Sequence, residues 1–274
     1  MFTFAGKLHI NNFSCIMANV IKIKKGLDIN LKGKASDVLL NGGKSESYAI
    51  VPDYYNGIVP KVVAKVGEKV KAGSVLMIDK NRPEIKFVSP VSGEVTAVNR
   101  GEKRKVLSIV VKPDAQIEYE EFGKKNVASL QGAEVKEVLL NAGMWPFIKQ
   151  RPYDIVAAPL DTPRDIFVSA FYSAPLAPNF DFIVKGQEAD FQTGLNALAK
   201  LTNGKVYVGV RSGSVVSGMK GVEIVEVEGP HPAANVGVQI NHIKPVNKGE
   251  VVWTVNPADV IVIGRLFNKG VADF

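Results

Sequence analysis

Three stretches of the chain concentrate aromatic rings beside hydrogen-bond donors. Gly143-Met144-Trp145-Pro146-Phe147-Ile148-Lys149-Gln150-Arg151 carries Trp145, Phe147, Lys149 and Arg151. Ala170-Phe171-Tyr172-Ser173-Ala174-Pro175 carries Phe171 and Tyr172, and Gly229-Pro230-His231-Pro232-Ala233 carries His231. Flat rings stack on a planar headgroup, and a few donors satisfy its carbonyl oxygens, so this set suits a planar redox group such as a quinone. For any one of these aromatics the alternative is that it caps a sheet. His231, held between two prolines, could meet a carbonyl or shuttle a proton, but the favoured reading is that it fixes its loop through a backbone hydrogen bond.

Other chemistries are excluded by what is scarce. Cys15 is the single cysteine, which rules out an internal disulfide and any Cys-ligated zinc or iron–sulfur centre built by this chain alone, so no metal site is expected. His9, His231 and His242 are the only histidines, and no G-x-S-x-G elbow accompanies them, which leaves a hydrolase without its machinery. The net charge of +7 is spread out, its densest points being Lys22, Lys24, Lys25 and the run Lys103, Arg104, Lys105. With no recognised module or aromatic-basic stripe, nucleic acid is not an expected partner. No stretch reaches the ~20 apolar residues of a spanning helix, so membrane contact would be indirect, through other proteins.

The elements that must position these loops fall into two kinds. Residues 20–31 alternate apolar and polar like a strand and turn. From about Tyr48 to Lys112 the chain reads as strands and turns containing an internal repeat. Gly57-Ile58-Val59-Pro60-Lys61-Val62 leads to Val66-Gly67-Glu68-Lys69-Val70, and Gly93-Glu94-Val95-Thr96-Ala97-Val98 leads to Arg100-Gly101-Glu102-Lys103. Gly67 and Gly101 are expected to supply positive φ at the two Gly-Glu-Lys turns, and the halves to close into a small flattened barrel. Lys112-Pro113-Asp114 marks a boundary before a linker-like acidic stretch from Glu118 to Glu121. Beyond it, the periodicity predicts a helix from Ser129 to Asn141 with Ser129 as a cap. A strand is expected at Asp165 to Ala170, and a helix from Gln187 to Leu201 stopped by Asn203-Gly204. Strands follow at Lys205 to Val210 and Val222 to Val227, and a helix begins at Asn256-Pro257-Ala258-Asp259. Alternating strands and helices point to an open, mostly parallel α/β sheet, whose ligands sit beyond the carboxyl ends of the strands.

The run Val66 to Leu76, followed by Ser89-Pro90-Val91-Ser92-Gly93-Glu94-Val95, resembles the biotinyl/lipoyl barrel-sandwich hybrid. In that family a lysine at a hairpin tip carries the prosthetic group. Lys80 in Asp79-Lys80-Asn81-Arg82-Pro83 occupies such a tip, but the hairpin is longer, holds Pro83 and lacks the usual acidic-Lys-Ala context. A structural hairpin without a covalent cofactor is therefore expected.

A wider resemblance runs from Met17 to Phe274. Ile21-Lys22-Ile23-Lys24-Lys25-Gly26-Leu27-Asp28-Ile29, Ser89-Pro90-Val91-Ser92-Gly93, Arg100-Gly101-Glu102-Lys103-Arg104, Gly143-Met144-Trp145-Pro146-Phe147, Arg151-Pro152-Tyr153 and Gly229-Pro230-His231-Pro232-Ala233 are similar to motifs of one family. That family is the A subunit of the Na⁺-translocating NADH:quinone reductase. The resemblance implies a barrel-sandwich hybrid followed by a Rossmann-like α/β domain related to the complex I flavin subunit. It further implies membrane-embedded partner subunits, a place on the cytoplasmic face of the bacterial inner membrane, and quinone binding. Flavin subunits of that kind approach phosphate through a Gly-rich loop. Met144, Trp145 and Pro146 stand at the corresponding place and obstruct it, so FMN and NADH are expected to be absent from this chain. The alternatives are the C subunit of the ferredoxin:NAD⁺ electron-transport complex, which should keep the Gly-rich loop, and a non-enzymatic carrier or scaffold built on Lys80.

On this reading residues 1–16 are an upstream extension with the start at Met17. Residues 17–125 form the barrel-sandwich domain and 126–250 the Rossmann-like domain. Residues 251–274 hold a helix and the truncated beginning of a further domain.

Overall fold

Residues 19–33 and 36–274 are described by a computed structural model of the chain. The expectation of an upstream extension over residues 1–16 lies outside them. After β1 (Asn19–Lys22) the chain passes through β2 (Tyr48–Ile50), β3 (Pro60–Val62), β4 (Lys69–Val70), β5 (Val75–Asp79), β6 (Lys86–Val88), β7 (Gly93–Arg100) and β8 (Val106–Pro113). There follow α1 (Gly132–Asn141), β9 (Lys149–Arg151), β10 (Ile155–Val156), β11 (Ile166–Ser169), α2 (Phe180–Ile183), α3 (Glu188–Ala199), β12 (Val206–Val210), β13 (Glu223–Glu228), α4 (Val236–Ile243), β14 (Val252–Thr254) and α5 (Pro257–Lys269).

The β-rich part is a sandwich of a four-stranded sheet, ordered β2-β8-β7-β4, and a three-stranded one, ordered β3-β5-β6. Its filling includes Leu76, Met77, Ile85, Phe87, Val95, Ile109 and Val111, all essentially buried. The two Gly-Glu-Lys turns are not equivalent. Gly67 has φ 86°, as expected, whereas Gly101 does not; Lys103 (φ 52°) and Arg104 (φ 62°) take the left-handed conformation instead. The acidic stretch after β8 is also no free linker. Ala72 donates its N–H to the Glu118 carbonyl at 2.9 Å and accepts from Glu120 N–H at 2.8 Å. Phe122 N–H reaches the Gly270 carbonyl at 2.8 Å, so the segment ties the sandwich to the end of α5.

The second part centres on a seven-stranded sheet, β1-β13-β12-β11-β14-β9-β10, parallel through β14 and antiparallel at β9 and β10. β11 (Ile166, Phe167, Val168, Ser169) is buried along its length, as an inner parallel strand covered on both faces must be. Ile166 and Val168 point to the side holding Phe191, Leu195, Val260 and Ile263 of α3 and α5. Phe167 points to the other side, with Ile240 of α4 and Val252. Helices α3 and α5 touch backbone to backbone: a Cβ on Gly264 would lie 1.7 Å from the Asp190 carbonyl oxygen. The sheet thus has helices on both faces, the doubly wound α/β arrangement expected from the alternation of elements.

Two domain limits need correction. β1 precedes the sandwich in sequence yet pairs parallel with β13 at the edge of the α/β sheet, Ile21 opposite Val227. Backbone pairing on an open edge outweighs sequence proximity, so residues 19–22 do not belong to the sandwich. Residues 251–274 likewise do not open a new domain. β14 lies between β11 and β9 in the sheet, and α5 closes the face beside α3. Helix α1 is shorter than Ser129 to Asn141, because residues 127–129 form a separate 3₁₀ turn. Its cap position is Gln131, whose N–H donates to Glu134 Oε2 at 2.7 Å.

Candidate functional site

The order of the strands creates a switch point. From β11 the chain moves through α3 to β12 and on to β13 on one side; from β13 it returns through α4 to β14 on the other side of β11. The crevice between the carboxyl ends of β11 and β14 is where open α/β sheets bind ligands. A cavity of about 630 Å³ occupies this place.

Five of the seven residues singled out from the sequence line it: Phe147, Lys149, Arg151, Phe171 and Tyr172. Antiparallel pairing of β9 with β14 sets Lys149 opposite Thr254 and Arg151 opposite Val252, which puts both cations on one face of the strand. Gln150 between them faces away, donating to Asp161 Oδ2 at 2.9 Å. The Lys149 ammonium lies 5.1 Å from the centre of the Tyr55 ring, which reaches over from the sandwich. Burial pulls the Lys149 pKa down, while Asp154 and Asp259 pull it up; the net shift is downward. Arg151 Nε lies 3.4 Å from Asp154 Oδ1, an ion pair too poorly aligned to satisfy that buried N–H as a hydrogen bond.

Tyr172 donates its hydroxyl to Asn256 Oδ1 at 3.3 Å, and burial raises its pKa. The same Asn256 oxygen caps α5 by accepting from Ala258 N–H at 3.0 Å. Phe171 is nearly buried, with the Arg211 guanidinium 4.6 Å from its ring centre. Arg211 is in turn held by the carbonyls of Val227 and Gly229, at 3.2 and 2.9 Å. Phe171 is therefore held in place at the cavity wall.

The remaining two candidates lie elsewhere. Trp145 is fully buried in the core and donates Nε1–H to the Ala157 carbonyl at 2.8 Å, so it lines no cavity. His231 does not line this cavity and is held in its loop by three contacts. Its Nδ1 meets Ser173 Oγ at 3.1 Å, its N–H donates to Asp28 Oδ1 at 2.8 Å, and its carbonyl accepts from Leu27 N–H at 2.9 Å. It fastens the segment after β1 to the loop after β13. Lys80 is exposed at its hairpin tip, but the tip itself is tied down. Lys80 N–H donates to the Val59 carbonyl at 2.7 Å, and Arg82 reaches the carbonyls of Gly57 and Val156, at 2.9 and 3.2 Å.

Two further features of the cavity escape a reading by motif. Buried Gln239 of α4 donates to Ser169 Oγ at 2.9 Å and to the Ala233 carbonyl at 3.1 Å, and Ser169 Oγ donates to the Ala234 carbonyl at 2.7 Å. This network sets the cavity wall at the start of α4. It needs Gly209 on β12, where a Cβ would lie 2.2 Å from Gln239 Oε1. The second feature is Asp259, in the first turn of α5 and lining the cavity. Burial raises its pKa to about 6, against the lowering effect of Lys149. Only its place in a strand-to-helix turn signals it in the sequence.

A larger depression of about 870 Å³, also bordered by Phe171, is walled by residues 29–33, 36–38 and 170–183 together with Arg211. Its charged lining residues are Asp37, Asp181 and Arg211, so it offers one cation where the switch-point cavity offers two. Among the described residues, no cluster of three metal-ligating side chains occurs and no helix is long and apolar enough to cross a membrane.

A barrel-sandwich hybrid joined to a doubly wound α/β domain, with a cavity at its switch point, defines the class. Residues 21–114 match the family model of the NqrA N-terminal barrel-sandwich hybrid domain, and residues 130–272 that of the NqrA second alpha/beta domain. The chain belongs to the NqrA family. It is 40% identical over 256 residues to the A subunit of the Na(+)-translocating NADH-quinone reductase from Hahella chejuensis. It is 38% identical over 255 residues to the proteins of the same name from Photorhabdus laumondii and Neisseria meningitidis serogroup A. In each comparison 92% of this chain is covered, and the chain spans 57% of the relative's length.

Proposed function

We propose that the chain acts as a peripheral component of a Na⁺-translocating NADH:quinone reductase, in which the cavity at the switch point binds the quinone headgroup. The supporting observation is the convergence of Phe147, Phe171 and Tyr172 with Lys149 and Arg151 in one cavity beyond the strand ends. The rings offer apolar flanks for a planar headgroup, and the cations are placed to donate to carbonyl oxygens. No residue here is assigned to electron transfer. The assembled complex would pass electrons from NADH to quinone and export Na⁺, and this chain would bind and position.

Docking would be through membrane-embedded partner subunits on the cytoplasmic face, since the relatives are named as one subunit of a larger enzyme. The chain would carry no flavin of its own. The segment where a phosphate loop would be needed turns inward, with Met144 and Trp145 fully buried and Pro146 lacking an N–H. Equilibrium dialysis with FMN should show no micromolar retention.

Co-purification with membrane subunits, followed by photolabelling of the complex with an azidoquinone, tests the main reading. Label should map to peptides containing Phe147, Tyr172 or Asp259. Label confined to other regions of the complex would reject a quinone site in this chain.

A further inference from the structure

Asp259 sits in the first turn of α5, where an acid commonly caps a helix, yet it makes no capping bond. Asn256 supplies the cap of α5, and among the described residues Asp259 makes neither a side-chain hydrogen bond nor an ion pair within 4.0 Å. A half-buried carboxyl without a structural partner costs stability, which suits a group that serves a ligand. It lines the cavity together with Lys149, Arg151, Asp154 and Tyr172.

Resting on the quinone reading above, we propose that Asp259 is the redox-state selector of the cavity. As a neutral acid it donates a hydrogen bond to a quinone carbonyl; as a carboxylate it accepts one from a quinol hydroxyl. A quinone carbonyl only accepts, so it is repelled by an ionised carboxylate. A quinol hydroxyl donates, and a hydrogen bond to a charged acceptor is the stronger kind. The preference for oxidised or reduced ligand therefore changes with the protonation of this one group.

The surroundings place that change in a useful range. The titratable groups facing Asp259 come from three elements: Lys149 on β9, Tyr172 after β11, and Tyr55 from the sandwich. Burial raises the pKa of both tyrosines, so they remain neutral hydroxyls at and below neutral pH. Arg151 and Asp154 form their own pair on the same wall. Asp259 is left as the group that titrates near pH 6.

The test measures dissociation constants of a short-tailed ubiquinone and, anaerobically, of its quinol for the full chain between about pH 5 and 7.5. Quinone affinity should fall by about tenfold over this range as the acid ionises, while quinol affinity holds or rises. Asp259→Asn, which keeps the shape and cannot ionise, should abolish the dependence. If both forms bind the wild-type chain independently of pH, or if the variant keeps the dependence, the selector role is overturned and the quinone site stands. Failure of both forms to bind at any pH overturns the site and the selector together.

Discussion

Trp145 and Trp253 meet edge to face, their ring centroids 5.4 Å apart and their planes at 84°. The contact joins the turn after α1 to strand β14, and so helps hold β9, with Lys149 and Arg151, against the carboxyl end of β14. Trp145→Ala would leave a large void beside Trp253 and orphan the Ala157 carbonyl. It should cost about 3–5 kcal/mol in chemical denaturation. If Trp145 instead contacted ligand, the substitution would lower affinity at nearly unchanged stability.

At the hairpin tip, Asp79 is buried and accepts from Arg82 Nε at 2.8 Å and from Val59 N–H at 3.0 Å. Arg82→Ala removes the cation that compensates this carboxylate and also severs the contact with Val156. A loss of about 3–5 kcal/mol is expected, with new protease cleavage at residues 80–84. Lys80→Ala, by contrast, should change stability by less than about 0.5 kcal/mol, and intact mass should show no lipoyl or biotinyl adduct on the wild-type chain.

Asp165 is a buried anion with an opposite pH response to Asp259. Burial alone would raise its pKa, but bonds from the Lys244 side chain, the Lys205 N–H and Arg164 outweigh it and lower the net value. A carboxyl whose folded pKa lies below its unfolded one stabilises above the unfolded pKa of about 3.9, and that stability is lost as pH falls through the folded value. Thermal melts should therefore show a steep loss of stability below about pH 4, blunted in Asp165→Asn, which should already be weaker at neutral pH.

For Asp259 the folded pKa of about 6 lies above the unfolded value. The folded state then holds the proton more tightly, so stability is greatest below the unfolded pKa and declines as pH rises through 6. Asp259→Asn should equal the wild type near pH 4 and exceed it by about 1–2 kcal/mol at pH 7.5, part of the gain being offset by losing an acid near the α5 N-terminus. Identical melts at both pH values would show that the carboxyl is not perturbed.

What the sequence made legible was local chemistry. The cap and proline opening α5, the helix from about Gln187, and the two-part organisation all follow from nearest-neighbour rules and are seen in the structure. Long-range pairing was not legible. β1 finds β13 across the whole sandwich, and β9 and β14 are three-residue strands too short to show a period. The candidate site was read as aromatic-rich loops. That reading placed Phe147, Phe171 and Tyr172 together but could not separate them from Trp145, because buried and ligand-facing rings have the same composition. His231 looked presented by its prolines, and its partner Asp28 lies 203 positions away.

The edge position of β1 makes the sandwich an insertion within the α/β domain. On a ribosome adding about 5–20 residues per second, β1 emerges tens of seconds before β13, its neighbour in the sheet. The sandwich has all its strands by Pro113 and can mature in that interval. The leading strand must stay unpaired meanwhile, an exposed backbone edge on the nascent chain. Lys22, Lys24 and Lys25, scattered charges to a reader of composition, stand at the end of this waiting strand, where positive charge disfavours edge-to-edge pairing with another chain.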